Sequence, residues 1–243
     1  MTKPTIRPST WLFAALALVL VTIKLLFDHY PGDFPLRDQA AAFSWPIVGG
    51  IIVLGFLGLL ADRAARLPDP MADRRLEMRG WLWATVTGVV YGVITVASWV
   101  LEPSRSAVSA GTGWDHVLLP WSIPFYLFGA ILLEFMLRLG ALCVLFWLIH
   151  VLILRRRYRL WVFWPLAAIV ALYEIWPYMA EDVAAGRWGE ALIALAGPLY
   201  LSNVFEGWLL YRYGWVSPIV FRLAFYLVWH ILFGGLAASA YVP

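Results

Sequence analysis

The chain has 243 residues, 63% of them hydrophobic and 14% charged, with a mean hydropathy of +0.78 and a formal net charge of +3. A soluble domain carries about 25% charged residues, so the composition excludes an ordinary water-soluble enzyme, and nothing in it points to a nucleic-acid partner. One cysteine, Cys143, excludes an intramolecular disulfide and a thiolate metal cluster.

Seven stretches are apolar enough to cross ~30 Å of hydrocarbon, which takes roughly 20 helical residues. The first, 11–28, follows Lys3 and Arg7. No small-x-small cleavage pattern follows it, so it reads as a retained helix rather than a signal peptide. Lys24 near its end is placed to snorkel. The second is 44–61. The connection after it, 62–80, mixes Arg63, Arg66, Arg74, Arg75 and Arg79 with Asp62, Asp69, Asp73 and Glu77, as a solvated segment does. The third stretch is 81–101 and the fourth 121–154. At ~1.5 Å per residue the fourth is about 51 Å long, so it must tilt, kink or project. The turn "LRRRYRL" leads into the fifth stretch, 160–178; the sixth is 190–211 and the seventh 215–238. Pro198 inside the sixth predicts a kink. The 15 Trp suit a chain with two lipid–water interfaces. The fold class is therefore all-α: a polytopic transmembrane helical bundle in one membrane domain.

Charge alternates from connection to connection. Lys3 and Arg7, the arginines of 62–80, then Arg155, Arg156, Arg157 and Arg159, and finally Arg212 fall on one side. The other side holds Arg37, Arg105 and Arg187 beside Asp33, Asp38, Glu181 and Asp182. Cytoplasmic loops are enriched in Lys and Arg, which predicts a cytoplasmic N-terminus and an outer C-terminus. The composition suits a bacterial inner membrane. Membrane lipids are the general partner, and the "RRRYR" cluster is basic enough to meet anionic headgroups, although orientation alone explains it.

Glu134, Arg138, Glu174, Glu206 and Arg222 fall inside these apolar stretches. A charge there costs at least ~2.5–3.5 kcal/mol on insertion scales, so each needs a partner and a reason. Glu134 and Arg138 are spaced i, i+4, which predicts a charge-assisted contact on one helix face. Arg222, Tyr226 and His230 step by four and form a polar stripe. The residues alone leave three readings open. Ion pairs can fix helix register. A desolvated carboxylate can serve as a general base in hydrolysis. The acids can also line a proton or ion pathway, although no inverted repeat of the kind transporters carry is visible. His150, just before the basic turn, reads as interfacial rather than as a ligand.

From about Gly129 to Leu232 the order of segments resembles the CPBP family of intramembrane proteases, named for CAAX prenyl proteases and bacteriocin-processing enzymes. The string "LLEFMLRLG" fits the family's Glu-Glu-x-x-x-Arg motif with Leu133 in place of the first Glu, Glu134 as the second and Arg138 as the Arg. "GWLLYRYGW", Gly207 to Trp215, is similar to a further family pattern. The resemblance implies a four-span core at 119–243, preceded by three spans in 1–118, and peptide hydrolysis within the membrane. The reactive positions differ. Trp176 stands about where the family's first His belongs, Arg222 where the second belongs, and Tyr226 where an amide or acid follows. Arginine is neither a general base nor a zinc ligand. The expectation is a catalytically impaired homologue that binds or scaffolds a transmembrane or lipid-linked peptide through a buried network of Glu134, Arg138, Glu206, Arg222 and Tyr226. It needs no cofactor. The alternatives are an active endopeptidase with a rearranged Glu134, Glu174 and His230 site, where a divalent metal such as zinc would enter, and a proton- or ion-coupled transporter.

Overall fold

The computed structural model describes residues 7–29, 43–101, 117, 119–189 and 198–235. Every element among them is helical. We number the helices α1 (Pro8–His29), α2 (Trp45–Ala64), α3 (Arg74–Leu101), α4 (Ser122–Ile153), α5 (Arg159–Ala184), α6 (Pro198–Tyr213) and α7 (Val216–Phe233). Six of the seven are long and apolar enough to cross a membrane. The exception is α6, whose described part has 16 residues. The first residues of its predicted stretch lie outside the described residues, as do Lys3, Asp33, Arg37, Asp38 and Arg105. Pro198 is the first described residue of α6, so the kink expected there lies at the edge of the described residues.

The basic connections meet at one end of the bundle. Arg63 on α2 donates to the Ser9 and Thr10 hydroxyls at the start of α1, at 3.1 and 2.6 Å, and Ser9 donates to Asp69 at 3.0 Å. Arg156 and Arg159 donate to the Ala64 and Arg66 carbonyls, at 3.0 and 3.2 Å. These are among the last, otherwise unpaired carbonyls around the α2 C-terminus, where a cation also meets the favourable end of the helix dipole. Two arginines of the "RRRYR" turn are thus structural staples. Asp73 caps α3 through the Arg75 N–H at 2.9 Å. Gly214 joins α6 to α7 with φ +93°, and a Cβ there would lie 2.5 Å from the Pro68 carbonyl oxygen. Only glycine fits that turn without strain.

Small residues let the helices approach. On α3, Gly80, Ala84, Gly88 and Gly92 repeat every four residues and face the α6–α7 hairpin. A Cβ at Gly88 would sit 2.4 Å from the Phe221 carbonyl oxygen, and one at Gly92 would sit 2.7 Å from Val228 Cβ. On α2, a Cβ at Gly58 would fall 1.8 Å from the Leu139 carbonyl oxygen of α4. Close backbone approach of this kind replaces the hydrophobic drive that helices lack in lipid. Between the glycine contacts the core is aromatic: Phe13 stacks on Phe135 at 4.6 Å, and the buried Trp215 meets both rings edge-on. Lys24 does not snorkel; it is buried, paired with Asp28 and placed 5.7 Å from the Trp45 ring centre.

The long α4 is not uniformly α-helical. It widens into π-helical turns at Phe135–Leu142 and Trp147–Ile153, and α7 does the same at Leu227–Phe233. Such turns are rare and collect at functional sites. The first one begins directly after Glu134.

Candidate functional site

Four helices bring the intramembrane charges together. Glu134 and Arg138 come from α4, Glu174 from α5, Glu206 from α6 and Arg222 from α7. Arg222 lies about 9 Å from the start of α7 at ~1.5 Å per residue, so the cluster sits well inside the bundle. Arg222 donates through Nε to Glu134 at 2.7 Å, and its Nη2 lies 2.7 Å from Glu206 and 2.8 Å from Glu174. Arg138 pairs with Glu174 and Glu206 from the other side. Each of the three carboxylates therefore has an oxygen against a guanidinium. Glu134 and Arg138 are both 1% exposed, and the Glu174 side chain, at 11%, is the most open of the five.

The predicted i, i+4 contact is the loosest in the cluster. Arg138 Nε lies 3.9 Å from Glu134, beyond hydrogen-bond reach. The π turn that begins at Phe135 takes more than four residues per turn, so Arg138 falls short of a position directly over Glu134 and pairs instead with α5 and α6. Glu134 Oε2 is left buried without a hydrogen bond.

Asn203 completes the cluster and was not singled out by sequence. Arg138 Nη2 donates to its side-chain oxygen at 2.6 Å and to its carbonyl at 3.1 Å, while the Asn203 amide donates to the Leu199 carbonyl at 2.8 Å. Its i, i+3 spacing from Glu206 on one helix face was the available signal. On α5, Pro177 cannot donate to the Tyr173 carbonyl, which loosens the turn around Glu174.

The remaining predicted residues lie elsewhere or at the edge. Tyr226 interacts with Arg222 and packs on Tyr126 at 5.4 Å between ring centres. His230 stacks on Tyr126 at 4.2 Å and meets Tyr226 edge-on; Tyr126 is two turns from Glu134 along α4. Trp176, placed by the resemblance near a reactive position, is 50% exposed on the outer face of α5, and the neighbour that faces inward is Glu174. His150 is buried in the last turn of α4, beside the basic turn: it stacks on Phe146 at 4.8 Å and its Nδ1 lies 3.1 Å from the Arg157 carbonyl. Cys143 is free and buried. Among the described residues, no three His, Cys, Asp or Glu side chains are grouped to hold a metal ion.

Chemically the cluster is a set of fixed opposite charges. An arginine keeps its proton at any physiological pH, so neither guanidinium takes a proton from water. Buried pairs of this type lock helix positions, because breaking one strands a charge in a medium that cannot solvate it. Compared with family models, curated proteins and solved structures, the chain has no match.

Proposed function

We propose that this integral membrane protein is a catalytically impaired relative of CPBP-type intramembrane proteases, one that binds or scaffolds a membrane-embedded peptide rather than cleaving it. The observation that carries the reading is the position of Arg222. Its guanidinium spans Glu134, Glu206 and Glu174 at 2.7–2.8 Å, at the place where the resemblance calls for a water-activating imidazole. A general base must accept a proton near neutral pH, and arginine does not. The carboxylates that remain are occupied by salt bridges.

The outer face of α5 supports the binding half of the reading. Glu174 reaches partial exposure between the exposed rings of Tyr173 and Trp176. A transmembrane segment lying along α5 would meet two aromatic side chains beside Glu174, the most exposed carboxylate of the cluster. The basic ends of the helices face the cytoplasm on this reading, with the N-terminus inside and the C-terminus outside a bacterial inner membrane.

The test uses purified protein in liposomes with a membrane-anchored peptide reporter. The expected result is no cleavage above that of the Glu134→Ala variant. Cleavage by the unaltered protein that Glu134→Ala abolishes would refute the reading.

A further inference from the structure

We propose that the turn Arg155–Arg159, together with Tyr158 and Trp161, is a docking surface for an anionic phospholipid. Its four arginines do two different jobs. Arg156 and Arg159 are tied to the Ala64 and Arg66 carbonyls at 3.0 and 3.2 Å, and the Arg159 guanidinium also lies 5.1 Å from the Tyr211 ring centre. Arg155 and Arg157 are exposed.

The backbone holds those two in place. Arg155, Arg156 and Tyr158 have φ of 49°, 67° and 58°, a left-handed conformation that non-glycine residues keep only when their surroundings impose it. The Arg156 N–H donates to the His150 carbonyl at 2.6 Å and the Arg157 N–H to the Leu154 carbonyl at 3.0 Å. A surface fixed in advance binds with less loss of conformational freedom than a mobile one.

Charge and shape on the turn select the occupant. No Asp or Glu occurs in the chain between Glu134 and Glu174, and the first turn of α5 has no acid. The segment 62–80 differs, since its arginines are interleaved with Asp69, Asp73 and Glu77. Apolar side chains flank the exposed arginines: Leu152 and Ile153 are exposed before the turn, Tyr158 is 64% exposed within it and Trp161 is 82% exposed just after it. Guanidiniums above an aromatic and aliphatic flank match a phosphate above an acyl chain. Aromatic rings favour that depth of the bilayer, and each basic residue near an anionic leaflet adds to the attraction.

The experiment is native mass spectrometry of the detergent-solubilised full chain, reading retained phosphatidylglycerol against phosphatidylcholine. Wild type should retain phosphatidylglycerol preferentially. R155Q/R157Q should weaken that retention roughly thirtyfold, whereas R74Q/R75Q, which removes the same charge from the same end, should leave it unchanged. Equal losses in the two double variants, or equal retention of the two lipids by wild type, would overturn the proposal. So would thermal protection by inorganic phosphate alone that matches the protection by phosphatidylglycerol. If R155Q/R157Q does not fold, W161A decides the matter with all four arginines in place: weakened phosphatidylglycerol retention supports the site, and unchanged retention overturns it.

Discussion

Replacing Arg222 by leucine is the sharpest test of the charge cluster. The side chain makes close contacts with Glu134, Glu206 and Glu174 at 2.7, 2.7 and 2.8 Å. Its loss leaves three buried carboxylates to one guanidinium, Arg138, which is already engaged with Glu174, Glu206 and Asn203. Breaking a single buried pair costs about 3–5 kcal/mol, and here one deletion strands more than one acid. For a chain of this size, each kcal/mol shifts the melting temperature by about 2–4 °C, so Arg222→Leu should lower it by roughly 6–20 °C. The assay is thermal unfolding in detergent, followed by tryptophan fluorescence. Adding Glu134→Gln restores the original balance of charge, so the double variant should recover part of the loss, and a double-mutant cycle should show coupling between the two sites. Glu134→Gln alone leaves two acids facing two guanidiniums and should be tolerated. A melting temperature for Arg222→Leu within about 2 °C of wild type, which is less than ~1 kcal/mol on the same scale, would mean that water rather than these acids satisfies Arg222.

Gly58→Ala should destabilise the α2–α4 contact severely, because its Cβ would fall 1.8 Å from a backbone carbonyl, while Gly49→Ala, with nothing within 4 Å, should be silent in the same unfolding assay. The basic end should face the cytoplasm: a cysteine at position 157 in a Cys143→Ala background should react with a membrane-impermeant maleimide in inverted vesicles and not in intact cells. Labelling from the outside would reverse the orientation.

Much of the bundle was legible because a bilayer leaves few choices. Hydropathy and length located the described helices, six of them long and apolar enough to cross a membrane, and the cost of charge in lipid marked Glu134, Arg138, Glu174, Glu206 and Arg222 as residues needing partners. Which acid met which arginine was not legible. That depended on a π turn starting at Phe135, and a pattern of 3.6 residues per turn carries no sign of one. The α3 stripe Gly80, Ala84, Gly88 and Gly92 escaped because glycine and alanine blend into an apolar span, although their spacing sets the packing on α7. Asn203 was hidden for the opposite reason: a single amide beside Ser202 looks like ordinary polar decoration until Arg138 is seen to donate to it. Asp62 is a further case. It stood in what read as a solvated connection, yet it is 2% exposed and its Oδ1 has no hydrogen bond.

The string from Gly207 to Trp215 carried much of the resemblance, and its residues have structural reasons to be there. A Cβ at Gly207 would lie 3.0 Å from Ala167 on α5, Gly214 makes the left-handed turn into α7, and Trp215 is buried against Phe13 and Phe135. Such residues describe a helical frame, and a frame does not fix a reaction. On the proposed reading the chemistry is decided by Arg222 and Glu174 together. A permanent positive charge placed deep in the bundle needs acids around it, and Glu174 reaches inward from α5 to meet both guanidiniums. The two residues are therefore energetically coupled. Restoring an imidazole at position 222 would not by itself recreate a reactive site, because Arg138 alone would then face three carboxylates, and the cluster would lose stability before it gained a base.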